Sequence, residues 1–125
     1  MKYLAAAIIV LFSCTNRHLE EDIPEATISF IKPSAGDTFH VGDTVQIKAI
    51  ASSTEPIHGY DLLIRKSGET QNLDFVHMHD HSNPITIEYK WKNTVSGPAN
   101  LEAEITLTLD HAGHTKTEKT VFSTQ

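Results

Sequence analysis

The chain is 125 residues long and carries sixteen acidic against ten basic side chains, a formal net charge of −6 at neutral pH. That length makes one domain, and that balance lacks the clustered Lys and Arg that a nucleic-acid partner requires. The single cysteine, Cys14, excludes an intramolecular disulfide, a cysteine protease and a thiolate zinc or blue-copper site.

Met1 and the positive Lys2 lead into an uninterrupted apolar stretch from Leu4 to Phe12, closed by Ser13 and Cys14. A permanent transmembrane helix needs about twenty apolar residues, so the pattern predicts a secretory signal over residues 1–13. Leu11-Phe12-Ser13-Cys14 further resembles the lipobox of bacterial lipoproteins. The resemblance implies cleavage before Cys14 and acylation of its thiol and new amino terminus. Residues 14–25 then hold the acylated cysteine and a tether with Glu20, Glu21, Asp22 and Glu25 and no apolar period. Thr15 is not the Asp that commonly marks inner-membrane retention in some Gram-negative bacteria, so the expected location is extracytoplasmic, lipid-anchored, at the outer membrane.

From Ala26 onward apolar residues recur at every second position, the period of half-buried strands. Val45, Ile47 and Ala49 alternate with Thr44, Gln46 and Lys48. The same alternation runs through Ile85, Ile87, Tyr89 and Trp91, and through Leu101, Ala103, Ile105, Leu107 and Leu109. Strands are predicted near 26–32, 43–52, 57–66, 72–79, 84–92, 100–110 and 115–122, with breaks at Lys32 to Asp37, Ser67-Gly68 and Ser96-Gly97-Pro98. Seven strands on short turns predict an all-β immunoglobulin or fibronectin type III-like sandwich over residues 26–125. Trp91 and Tyr89 share the inward parity and are expected in the core, as is Tyr60.

Ile31-Lys32-Pro33-Ser34-Ala35-Gly36-Asp37 followed by Val41-Gly42-Asp43-Thr44-Val45 resembles the opening of many bacterial Ig-like domains. The run from Ile57-His58-Gly59-Tyr60 through His77-Met78-His79 to Asp110-His111-Ala112-Gly113 is similar to small Ig-like bacterial lipoproteins that carry histidines in these segments. The resemblance implies fold and location rather than an activity, which resides in sites and not in folds.

Six of the eight histidines fall in three clusters: His58; His77, His79 and His81; and His111 and His114. In a fibronectin-like order all three map to connections at one pole, whereas His40 belongs to the opposite pole and His18 to the tether. Imidazole is the commonest protein metal ligand, and zinc or copper accepts a nitrogen-rich set. If the strand persists to residue 81, the three central histidines share a face about 6.6 Å apart in succession. Two neighbours can then share an ion, with His77 and His79 the expected pair. The remaining ligands would come from His58, His111, His114, Asp80 or Asp110. The alternation leaves open which set of the central strand faces the core, since Leu73 and Phe75 share parity with the histidines and Val76 and Met78 do not.

Catalysis is not expected. His-Met-His-Asp-His is one residue short of the metallo-β-lactamase run, and the next glutamate after His79 is Glu88, too far for a cupin. No serine sits in a glycine-flanked elbow, and one sandwich supplies no cleft for paired carboxylates. Two functions are therefore expected of a non-catalytic envelope module. One is binding a divalent transition metal (Zn or Cu) at the histidine pole. The other is a structural or interaction domain for an envelope protein or glycan, with the histidines incidental.

Overall fold

The computed structural model describes residues 22–125; the signal segment, Cys14 and His18 lie outside the described residues. Eight strands follow in order: β1 (Ala26–Lys32), β2 (Thr38–Phe39), β3 (Thr44–Ser53), β4 (Gly59–Lys66), β5 (Asn72–Met78), β6 (Ile85–Lys92), β7 (Ala99–Thr108) and β8 (Thr115–Thr124). They form a three-stranded sheet in the order β1-β3-β6 and a five-stranded sheet in the order β2-β8-β7-β4-β5. This is the two-sheet arrangement expected of a fibronectin III-like sandwich. The described residues contain no helix.

Seven strands stand where alternation places them, within two residues at either end. The eighth, β2, pairs parallel with the end of β8, Thr38 to Ser123 and Phe39 to Thr124. Two residues are too few to show a period, so β2 had no signal in the pattern. Its role is visible in the packing: Phe39 meets Phe122 edge to face at 5.7 Å, an arrangement aromatic quadrupoles favour.

The core lies between the sheets and takes the alternate residues of each strand. Val45, Ile47 and Ala49 of β3 face Leu101, Ile105 and Leu107 of β7, all fully buried. Trp91 and Tyr60 are buried there as well, as expected. Tyr89 packs at its edge and donates its hydroxyl to Asp74 across the sandwich. At the pole opposite the histidine clusters Asn93, 1% exposed, ties the connections together. Its amide donates to the His40 carbonyl at 3.0 Å and to Thr124 Oγ1 at 2.7 Å, and its Oδ1 accepts from Val95 N at 3.0 Å. Among the described residues no buried side-chain nitrogen or oxygen lacks a partner.

Register resolves the parity of β5. Val76 stands opposite Leu62 and Phe75 opposite Leu63. Leu62 is buried in the core, so Val76 packs inward and Phe75 is left 52% exposed on the outer face. Leu73 still reaches the core because the pairing shifts register between Ile64 and Arg65. On that outer face β7 holds a carboxylate pair not separable in the sequence from ordinary surface charge. Glu102, 3% exposed, accepts from Arg65 Nε and Lys119 Nζ, and Glu104 accepts from Arg65 Nη2 at 2.9 Å. Burial works to raise the Glu102 carboxyl, but the Arg65 and Lys119 partners outweigh it and hold it below the usual range.

Candidate histidine site

The three connections expected at one pole do meet there, and backbone hydrogen bonds hold them together. His58 N donates to Thr108 O at 2.9 Å, which sets the β3–β4 connection against the end of β7. Asn83 bridges the β5–β6 connection to the end of β3 and beyond. It accepts from Ser53 N at 3.1 Å and donates to Ser53 O at 2.8 Å and Glu55 O at 3.3 Å. The β7–β8 turn closes on Leu109 N donating to His114 O at 2.9 Å.

Gly59, which opens β4, makes the closest approach. Its φ is +139°, and a Cβ placed there would stand 2.5 Å from Met78 O and 3.4 Å from His79 Cα. Only a residue without a side chain lets the end of β5 come this near to β4. The consequence is that His79 leaves the strand beside Gly59.

Four imidazoles gather at this pole from the three connections. The His58 and His111 rings have centroids 4.4 Å apart, His58 and His81 5.4 Å, and His79 and His81 4.6 Å. His81 Nδ1 lies 3.1 Å from Ile57 O, and a carbonyl can only accept, so that nitrogen carries the proton. The lone pair of His81 is thereby fixed on Nε2, where it faces His79 Nε2 at 2.9 Å. Neutral His79 must then donate from Nε2. Orienting one ring nitrogen through a hydrogen bond from the other is a common support for metal-ligating histidines. Beneath the rings, burial first and the nearby Asp80 charge second push the Tyr60 hydroxyl up. Asp80 is held below the usual carboxylate range by the backbone and side-chain hydrogen bonds of Ser82.

The pair that the sequence places together is not the pair that meets. β5 ends at Met78, so His77 stays on the outer sheet face, where Nδ1–H donates to Asp61 on the neighbouring strand. His79 and His81 lie beyond the strand end, and the bend there lets His81 rather than His77 approach His79. His114 is turned to the carboxylate of Asp110, at 2.6 Å through Nδ1. His40 lies at the opposite pole, with its backbone amide donating to Asp43 Oδ2 at 2.7 Å. Among the described residues no set of three or more His, Cys, Asp or Glu side chains already stands in ligand geometry around one point.

Asp110 organises the turn that carries His111. Its Oδ1 accepts from His114 N at 3.0 Å and its Oδ2 from the ring, and these bonds hold the carboxyl below its usual range. A carboxyl depressed in the folded state contributes stability above the unfolded carboxyl range, and that stability is lost as pH falls through the folded value. Asp110→Asn should therefore lower the urea midpoint at pH 7, with the gap to the parent closing as pH falls below the ordinary carboxyl range. A gap unchanged between the two conditions would show that the charge contributes nothing.

The chain enters the domain at this same pole. Glu25 N donates to Thr54 Oγ1 at 3.1 Å and Thr54 N to Glu25 O at 2.9 Å, so Asp22 and Glu25 approach from the histidine side. Fixed negative charge near a site raises the local concentration of cations.

No protein-family model and no curated protein matches the chain. Among solved structures, the fibronectin(III)-like modules of Clostridium thermocellum CbhA align with a TM-score of 0.52 at 20% identity, covering 78% of this chain and 94% of that one. Murine CRIg aligns with a TM-score of 0.48 at 12% identity, covering 81% and 97%. At such identities the likeness to the CbhA modules establishes the fold alone. The chain has a fibronectin III-like fold.

Proposed function

We propose that this protein is a non-catalytic module of a bacterial cell envelope, lipid-anchored through Cys14, whose histidine pole takes up a divalent transition-metal ion. The observation that carries the reading is the convergence of His58, His79, His81 and His111 from three separate connections, with the His79 and His81 Nε2 atoms 2.9 Å apart. One of those nitrogens already has its lone pair fixed by the Ile57 carbonyl. The rings stand on connections that Asn83 and Asp110 tie down. Asp22 and Glu25, where the chain enters the domain at the same pole, favour cation capture.

Calorimetric titration of the full chain in detergent with zinc and with copper tests this. The expected result is saturable binding at micromolar Kd or tighter, weakened at least about tenfold when His79 and His81 are both changed to Ala. His40→Ala, at the far pole, should bind as the parent does. No saturable binding in the parent sinks the reading.

The open edge of the five-stranded sheet favours a second reading. β5 carries no Lys or Pro between Asn72 and Met78, pairs on one side only, and leaves Phe75 and Met78 exposed. An envelope protein or glycan held there would be captured equally by the parent and by the His79/His81 double variant.

A further inference from the structure

The outer face of the β1-β3-β6 sheet carries a block of positive charge on an acidic domain. We propose that this face docks on the anionic lipid headgroups of the membrane to which the reading above anchors the chain, an inference that rests on that anchoring and not on the metal. Burial of Val45, Ile47 and Ala49 in β3 and of Ile87 and Trp91 in β6 turns Lys48, Lys90 and Lys92 outward. Lys90 stands opposite Gln46, and Lys92 opposite Thr44. Lys32 joins them from β1, opposite Lys48 and with Nζ 3.4 Å from Gln46 Oε1. Half of the eight basic side chains from residue 22 onward therefore share this face. The outward positions of its strands hold one acid, Glu88, which Lys48 meets at 3.0 Å. Asp37 and Asp43, in the flanking connections, are turned to the backbone amides of Ser34 and His40. Like charges set opposite each other weaken a sheet, so folding alone does not favour Lys32 against Lys48.

A lipid surface fits this face better than a discrete anion does. The four cations are lysines, point charges without the fork with which arginine grips a single phosphate or carboxylate, and they are spread over three strands of an open sheet. Ile31 and Ile50 stand exposed among them, apolar side chains that a headgroup layer accommodates and from which a dissolved polyanion gains nothing. The chain is also long enough. Glu25 is eleven residues beyond Cys14, a span of at most about 40 Å. Lys32 ends β1, which begins at Ala26, so it lies about 20 Å further along the sheet. The sheet can therefore lie flat on the bilayer, with the histidine pole at its side and open to solvent. The net charge of −6 opposes adsorption through the other surfaces of the domain, so docking also fixes which way it faces.

The test is lysine footprinting with an uncharged acetylating reagent. The full chain, purified from cell membranes, is reconstituted on vesicles of phosphatidylcholine alone or of phosphatidylcholine mixed with phosphatidylglycerol. On the anionic vesicles Lys32, Lys90 and Lys92 should each react at least about fivefold more slowly than on the neutral ones, and high salt should remove the difference. Lys119, on the other sheet, should react alike on both. Changing Lys90 and Lys92 together to Gln should weaken the protection of Lys32 several-fold and leave metal affinity at the parent value. Equal reactivity of Lys32, Lys90 and Lys92 on the two vesicles overturns the docking and leaves the anchoring, which flotation of the chain with neutral vesicles reads separately. Equal protection on neutral vesicles by a dissolved acidic polysaccharide makes the partner a polyanion in solution and overturns the lipid assignment. Flotation with anionic vesicles only leaves the docking standing without the anchor, and flotation with neither overturns both.

Discussion

Gly59→Ala is expected to destabilise the domain by about 2–4 kcal/mol, the combined cost of a strained backbone and a contact that cannot relax cheaply. The obstacle is main chain. The new methyl would stand 2.5 Å from the Met78 carbonyl oxygen, in a backbone conformation (φ +139°) that side-chain-bearing residues rarely adopt. Relief requires the end of β5 to move away from β4, and Met78 pairs with Tyr60 at that point. The same displacement moves His79, whose Cα would stand 3.4 Å from the new methyl, so the variant should lose metal affinity as well as stability. Urea unfolding gives the first number and titration below the unfolding transition gives the second. A variant within about half a kcal/mol of the parent would show that β5 does not approach Gly59 this closely.

The strands of this fold were legible because burial imposes a period. Val45, Ile47 and Ala49, or Leu101 to Leu109, can serve a sandwich only by alternating, so the sequence carries that pattern openly. β2 was not legible, because a two-residue pairing has no period. At the site, the pole was readable from strand order, and with it the company of His58 and His111. What could not be read was where β5 stops. Had it run to residue 81, His77 and His79 would be neighbours on one face; ending at Met78, it leaves His77 opposite Asp61 and folds His81 onto His79. β5 stops where its pairing with β4 ends, at Tyr60 and Met78, and Asn83 ties the connection beyond it to Ser53 and Glu55. Gly59 was a partial signal, since a glycine at a strand start between His58 and Tyr60 marks a close backbone approach. The burial of Glu102 gave none, because Arg65 and Lys119 cover it from strands distant in the chain.

Metal affinity at the pole should collapse in mild acid, and its slope should count the rings that bind. Coordination needs a neutral imidazole, so protons compete: affinity is full above the range in which imidazoles protonate and falls as pH drops through it. Each coordinating ring adds one competing proton, so the loss steepens with the number of rings that hold the ion. The neighbouring carboxylates do not blur this reading. Asp80 and Asp110 are both held below the usual carboxylate range and stay charged across the window. Removing a coordinating ring, as in His58→Ala, must therefore lower the pH 7.5 affinity and also make the acid loss shallower, because one fewer proton competes. Replacing His77 should change neither, since its ring is held on the sheet face by Asp61. An affinity that does not vary between pH 7.5 and pH 5.5 would mean that the ion is held by oxygen rather than by the imidazoles. A slope unchanged by His79→Ala and His81→Ala would place the site elsewhere in the chain.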